Sequence, residues 1–439
     1  MLAVTGGRVV TSLSPPSVVR ADVAMDDGRV TQVERDVSSR TGPERIDASG
    51  CLVIPGNVCA HHHLYSALAR GMPYRLEPPE DFVQVLRRVW WRLDRALDPA
   101  TMWASAWAGG AGALLAGTTT IVDHHASPNA IEGSLERIAG ALADLGARSV
   151  LCYEVTDRDG PERAGAGIEE NRRFLKEASF PLARGMVGAH ASFTLSADTL
   201  AACVDAATDA GAGIHVHVAE DAADQADALH RFGIRVIERL DRAGALDERS
   251  LLAHCIHLDP AEQDLVAGRR AMAVHNPRSN MNNRVGRIAS AGFERLALGT
   301  DGIDGDMFAE SRAAYWRARE ADGSVGPGWI LDRLDASARF AGAVFDEPLL
   351  GRLEPGAPAD LVVLDYDPPT PISGDNLGGH WAFGLSAGHV RDVVVAGTPV
   401  VRDRRLTRVD AASALDRCRD LAEGLWRRMD DIEEHPFEP

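Results

Sequence analysis

Eight short apolar runs, separated by alanine-rich stretches of helical character, dominate the middle of the chain: residues 58–63, 118–123, 150–154, 185–190, 214–219, 251–254, 272–275 and 296–300. Runs of strand length alternating with helical stretches are the pattern of repeated βα units on a parallel sheet. Eight of them predict an α/β fold, a closed (β/α)8 barrel of the TIM type over residues 55–345. Such a barrel takes about 250 residues, so a chain of 439 residues has material for a second, smaller unit. The two ends supply it. Residues 1–54 alternate short apolar runs with turns, as in Val23 to Met25 before Asp27-Gly28, and β texture returns in residues 353–364, 390–395 and 400–401. Residues 1–54 and 346–439 are therefore expected to form one composite β-sandwich domain, closed by an amphipathic helix over 411–429 that starts after Asp410, a good N-cap.

Charge and cysteine usage narrow the function classes. With 64 acidic against 46 basic residues the formal charge is −18, which disfavours a broad surface for nucleic acid or anionic lipid. No apolar run reaches the roughly 20 residues of a membrane span, and Met1 to Val10 lacks the basic start of a secretory signal. The expected setting is cytoplasmic, with a small-molecule partner. The six cysteines show no CxxC pair or regular spacing, so reduced thiols are expected rather than a disulfide framework or zinc knuckle.

Catalytic groups of barrel enzymes gather at the C-terminal ends of the strands, and the polar residues there are informative. His61 and His63 are two apart on a strand, so both imidazoles face the barrel mouth and His62 faces away. A second strand carries His217 with Glu220 three residues on, and a third ends in Asp301 before a glycine. Three imidazoles and one carboxylate suit zinc or a similar divalent ion. His215 shares a face with His217 one layer deeper, where a structural role is expected. Asp123, His124 and His125 compete for one pocket-facing position, His275 and Asn280 flank a turn beginning at Pro277, and Trp90 or Trp91 could cover a planar ligand.

Pro55-Gly56 before His61-x-His63, then His217-x-x-Glu220, Ala253-His254-Cys255, His275-Asn276-Pro277-x-Ser279-Asn280 and Gly299-Thr300-Asp301-Gly302 follow one another in an order that resembles the deaminase and chlorohydrolase branch of the amidohydrolase superfamily. The resemblance runs from near residue 1 to about residue 430. Finer blocks, Trp90-Trp91-Arg92-Leu93-Asp94, Val122-Asp123-His124-His125-Ala126-Ser127-Pro128 and Trp426-Arg427-Arg428-Met429-Asp430, are similar to the aminohydrolase subgroup called SsnA. Other members of the superfamily bridge two metals with a carbamylated lysine. The only lysine here is Lys176, in a stretch that reads as a solvent-facing helix, so one metal per chain is expected, zinc with iron(II) as the alternative.

The resemblance implies roles for the remaining groups. Asp301 would be both ligand and proton acceptor, His254 would orient the attacking hydroxide, Glu220 would protonate a ring nitrogen, and His190 would contact the substrate. It also implies a homo-oligomer, a dimer. The activity so implied is hydrolytic deamination of an aminated nitrogen heterocycle, an oxopurine or pterin-like ring. A chlorohydrolase or cyclic amidine hydrolase with the same metal site is the alternative, and a metal-binding protein without turnover is a third reading that Glu220 and His254 speak against.

Overall fold

The computed structural model describes residues 1–37 and 44–438. Eight parallel strands stand side by side in chain order: Asn57–His62, Thr118–His125, Arg148–Val155, Val187–Ala191, Ile214–Val218, Leu251–His254, Met272–His275 and Leu296–Leu298. A short strand, Ala183–Gly185, adds to the third. The eighth strand ends two residues before the expected run does, because its backbone then crosses to the first. The Thr300 and Asp301 amides both donate to the His61 carbonyl (2.9 and 3.1 Å), and the His63 amide donates to the Asp301 carbonyl (3.2 Å). These bonds close the barrel. They require glycine at 299, where a Cβ would stand 2.5 Å from Asn276 Oδ1 and 2.7 Å from the His61 carbonyl oxygen.

The chain ends combine into a nine-stranded mixed sheet in which Leu52–Pro55 lies between Leu2–Leu13 and Leu361–Leu364. Its strands obey a period of two. Val53, Leu361, Val363 and Val394 face a core of their own, while Leu52, Ile54, Val362, Leu364, Val393 and Val395 join the core that includes the barrel helices. The sheet folds over on itself, with the Val30 amide donating to the Ala357 carbonyl and the Ala359 amide to the Gly28 carbonyl, both at 2.8 Å. This is the composite sandwich, and its outer face pins the barrel from one side.

The helix Ala411–Asp430 is capped by Asp410, which accepts from the Ala412 and Ser413 amides, and it buries Cys418, Ala422, Leu425 and Met429. That spacing of four, three and four residues is one helical face. Past it the chain returns to the barrel mouth, where Arg87 Nε donates to the His435 carbonyl (2.7 Å) and Arg88 Nε to Glu434 (3.0 Å). Among the described residues no helix is long and apolar enough to cross a membrane.

Candidate metal centre and active site

The barrel closure assembles one cluster from three strands. His61 lies on the first strand, His63 one residue past its end, His217 on the fifth, and Asp301 at the crossing from the eighth back to the first. His63 Nε2 is 3.1 Å from His217 Nε2 and 3.1 Å from Asp301 Oδ1, and His61 Nε2 is 3.5 Å from the same oxygen. The four ligand atoms all lie within 4.8 Å of one another, and all four residues are buried.

The hydrogen bonds on the far sides of the rings fix the tautomers. His63 Nδ1 donates to the His124 carbonyl (2.6 Å) and His217 Nδ1 to the His190 carbonyl (2.9 Å), which leaves the two Nε2 lone pairs facing each other. His61 Nδ1 donates to His215 Nε2 (2.8 Å). His215 Nδ1 in turn is 3.6 Å from Cys152 Sγ, whose S–H donates to the Asp123 carbonyl. His61 Nε2 is left buried with no hydrogen-bond partner. Lone pairs converging on one point repel unless a cation sits among them. Donors about 2.0–2.1 Å from a tetrahedral zinc stand about 3.4 Å apart, close to the spacings seen, so the residues fit a divalent metal. Without it, burial depresses His61 and His217 well below the usual imidazole range. Burial also pulls His63 down, but the Asp301 carboxylate outweighs it and holds His63 up at about 9.

Two further groups flank the cluster. His254 Nε2 stands 3.3 Å from Glu220 Oε2 without hydrogen-bond alignment, and His254 Nδ1 accepts from Asn280 Nδ2 (2.8 Å), so its Nε2 carries the proton. Burial, and then the Asp301 charge, push the Glu220 carboxyl well above the usual range, while the adjacent His61 and His63 imidazoles outweigh burial and hold Asp301 well below it. Neighbouring carboxyl groups forced to opposite states make an acid and a base. Left-handed backbone recurs where these side chains emerge, with φ of 44° at Ala219, 74° at His254 and 54° at Asp301. Such conformations cost about 1–3 kcal/mol each and gather at functional sites.

Residues 277–283 form the helix Pro277–Asn283 rather than a turn. One short element thereby holds three groups: Ser279 Oγ donates to Asp301, Asn280 to His254, and Asn283 Nδ2 to Glu220 Oε1 (3.3 Å). His275, on the strand before it, is buried away from the cleft. His62 turns away from the cluster, its Nδ1 2.8 Å from Thr300 Oγ1, and His125 is tied to Ser127 Oγ (2.9 Å). His124 is the member of its trio that faces inward, its ring 4.7 Å from that of His217.

Over the cluster opens a cleft of about 630 Å³, counted to its mouth. Tyr65, Phe82, Leu86, Trp90, Trp91 and Phe193 line it, with His190, Glu154 and Glu220 as polar members. Both tryptophans therefore reach the cleft; Trp91 is buried against the Arg158 guanidinium, whose carbon lies 5.1 Å from the ring centre. Sequence reasoning placed Glu154 at a strand end and gave it no role. Yet its Oε2 lies 3.2 Å from His124 Nδ1, and its Oε1 lies 3.8 Å from both Arg158 and His190 Nε2. An ionisable residue ending a buried run was the signal available. Lys176 is exposed on the outer helix Pro161–Glu177 and takes no part.

The model of the Amidohydrolase family matches residues 52–400. A 5-methylthioadenosine/S-adenosylhomocysteine deaminase of Haloarcula marismortui is 31% identical, with 98% of this chain and 99% of that protein covered. Among solved structures, an adenosine deaminase from Xanthomonas campestris with bound zinc superposes with a TM-score of 0.84 at 24% identity, covering 98% of this chain and 99% of that one. A triazine hydrolase from Arthrobacter aurescens superposes at 0.82 with 21% identity, covering 96% and 99%.

Proposed function

The chain belongs to the amidohydrolase family and is a hydrolase acting on carbon–nitrogen bonds, and on that premise we propose that it releases ammonia from an aminated purine- or pterin-like ring using one zinc ion per chain. The observation that carries this reading is the convergence of the His61, His63, His217 and Asp301 ligand atoms beside Glu220 and His254. A divalent ion held there supplies Lewis acidity that brings the ionisation of water from a pKa of about 15.7 to about 7.

The protein groups divide the remaining work. Asp301, ionised and fixed by Ser279, accepts the proton of the attacking water. His254, held by Asn280 with its proton on Nε2, donates a hydrogen bond to the nucleophilic oxygen and orients it. Glu220, kept protonated, gives its proton to the ring nitrogen next to the carbon under attack, so that no negative charge builds up on the ring. As the carbon–nitrogen bond breaks, the proton held by Asp301 passes to the departing ammonia, and the proton left on the attacking oxygen is given up as the carbonyl forms and restores the one that Glu220 lost. The aromatic wall of Trp90, Trp91 and Phe193 receives a planar ring and excludes water from the opposite side.

The reading is tested by an ammonia-release screen over aminated purines, pterins, pyrimidines and triazines, with Glu220→Gln as control. Ammonia from at least one ring, abolished in Glu220→Gln with metal content unchanged, is the expected result. Release of chloride or urea with no ammonia from any ring would overturn it.

A further inference from the structure

The ends of the third and fourth strands carry two acceptor atoms, Glu154 Oε1 and His190 Nε2, with no donor within hydrogen-bond distance. Thr194 Oγ1 donates to the Ala191 carbonyl (3.1 Å), so the His190 Nδ1 contact to that oxygen (2.6 Å) has the imidazole as donor. The proton of His190 is thus on Nδ1, and its Nε2 is a lone pair. That lone pair stands 3.8 Å from Glu154 Oε1. Glu154 is a carboxylate beside the Arg158 guanidinium, and only its Oε2 is within hydrogen-bond distance of a donor, at His124. A carboxylate has about four lone-pair sites, so Oε1 keeps its capacity. Both residues are buried, at 3% and 6% exposure, and both line the cleft. Acceptor atoms that face a cleft without a protein donor are free to take an N–H of a ligand.

Their position says which part of a ligand that is. A Glu154 oxygen lies within 4.8 Å of a ring nitrogen of His63 and of His217. Groups beside the reacting carbon therefore come within its reach, whereas a substituent several bonds away does not. Resting on the deaminase reading above, we propose that Glu154 and His190 form a two-acceptor clamp for an N–H of the ring next to the aminated carbon. The substrate class is a cyclic acylguanidine, the 2-amino-4-oxo edge, which offers one bare ring nitrogen to Glu220 and one ring N–H to the clamp. A 6-aminopurine nucleoside has the bare nitrogen and lacks the N–H, and is the disfavoured class.

The probes are pterin and 3-methylpterin, which differ in that one N–H. Their binding to the metal-loaded protein is measured by calorimetry, and ammonia release is followed separately. Wild type is expected to bind pterin at least about tenfold more tightly than its methylated form, and Glu154→Gln, whose amide can turn a donor to the ring, is expected to bring that ratio toward one with metal content kept. Equal or tighter binding of 3-methylpterin by wild type overturns the proposal. So does binding of neither probe, an unchanged ratio in a metal-loaded Glu154→Gln, or loss of the metal from that variant, which would make Glu154 a ligand. The wild-type comparison stands even where the variant fails to fold. Preference for pterin without ammonia release would sink the deaminase reading and leave the clamp intact.

Discussion

Replacing His215 by leucine should weaken metal binding although His215 is not among the four converging ligands. Leucine is close to histidine in volume, so packing at this fully buried position is largely kept. What is lost is the acceptor for His61 Nδ1, 2.8 Å away. The ring then has two courses. It can keep its proton on Nδ1, buried without a partner at about 1–3 kcal/mol, or move the proton to Nε2 and leave the ligand set. Loss of such an outer partner costs about 10- to 100-fold in metal affinity, or about 1.4–2.8 kcal/mol, in line with the first course. Competition against a chromophoric chelator reads this directly, with His125→Leu as a control, since His125 bonds only Ser127. His215→Asn, which restores an acceptor, should recover part of the affinity. Unchanged affinity in His215→Leu, or an equal loss in His125→Leu, would refute the claim that this hydrogen bond sets the tautomer of His61.

Two further outcomes follow from the charges. In metal-free protein His63 is raised to about 9 from the usual 6.5, so its contribution to stability is fully present below pH 6.5 and is lost as pH rises through about 9. The thermal midpoint of the metal-free form should fall across that window while metal affinity rises, since the ion competes with the proton; an affinity independent of pH there would contradict the pairing of His63 with Asp301. Among the described residues lining the cleft none is lysine or arginine, so a ring bearing a carboxylate tail should have a kcat/KM at least about tenfold below that of its neutral analogue. Comparable values for the two would place a cation in the cleft that the geometry lacks.

Much of the centre was legible because it is periodic. His61, His63 and His217 obey the side-chain period of strands, and the aspartate–glycine after the last apolar run marked where Asp301 emerges. What escaped is what tertiary closure creates. The run at 296–300 reads as one strand, but the strand ends at Leu298; the Gly299 amide still donates to His275 on the seventh strand, and from Thr300 the backbone crosses to bond the first. Pro277 followed by serine and asparagines reads as a turn; it is a helix with proline at its first position, and Ser279, Asn280 and Asn283 gain meaning only through the three residues they hold. Glu154 has only Arg158 near it in sequence, four residues on, while His124 and His190 reach it from the neighbouring strands. The β pattern of the two ends was visible, whereas the pairing of Leu52–Pro55 with Leu361–Leu364 was not, because strand register between distant segments leaves no local trace.

Metal analysis of the purified protein, wild type beside His217→Ala, is the most direct test of the centre. One divalent ion per wild-type chain and almost none in the variant is the outcome that the converging Nε2 lone pairs of His61, His63 and His217 demand. Two ions per wild-type chain, or full occupancy without His217, would contradict it.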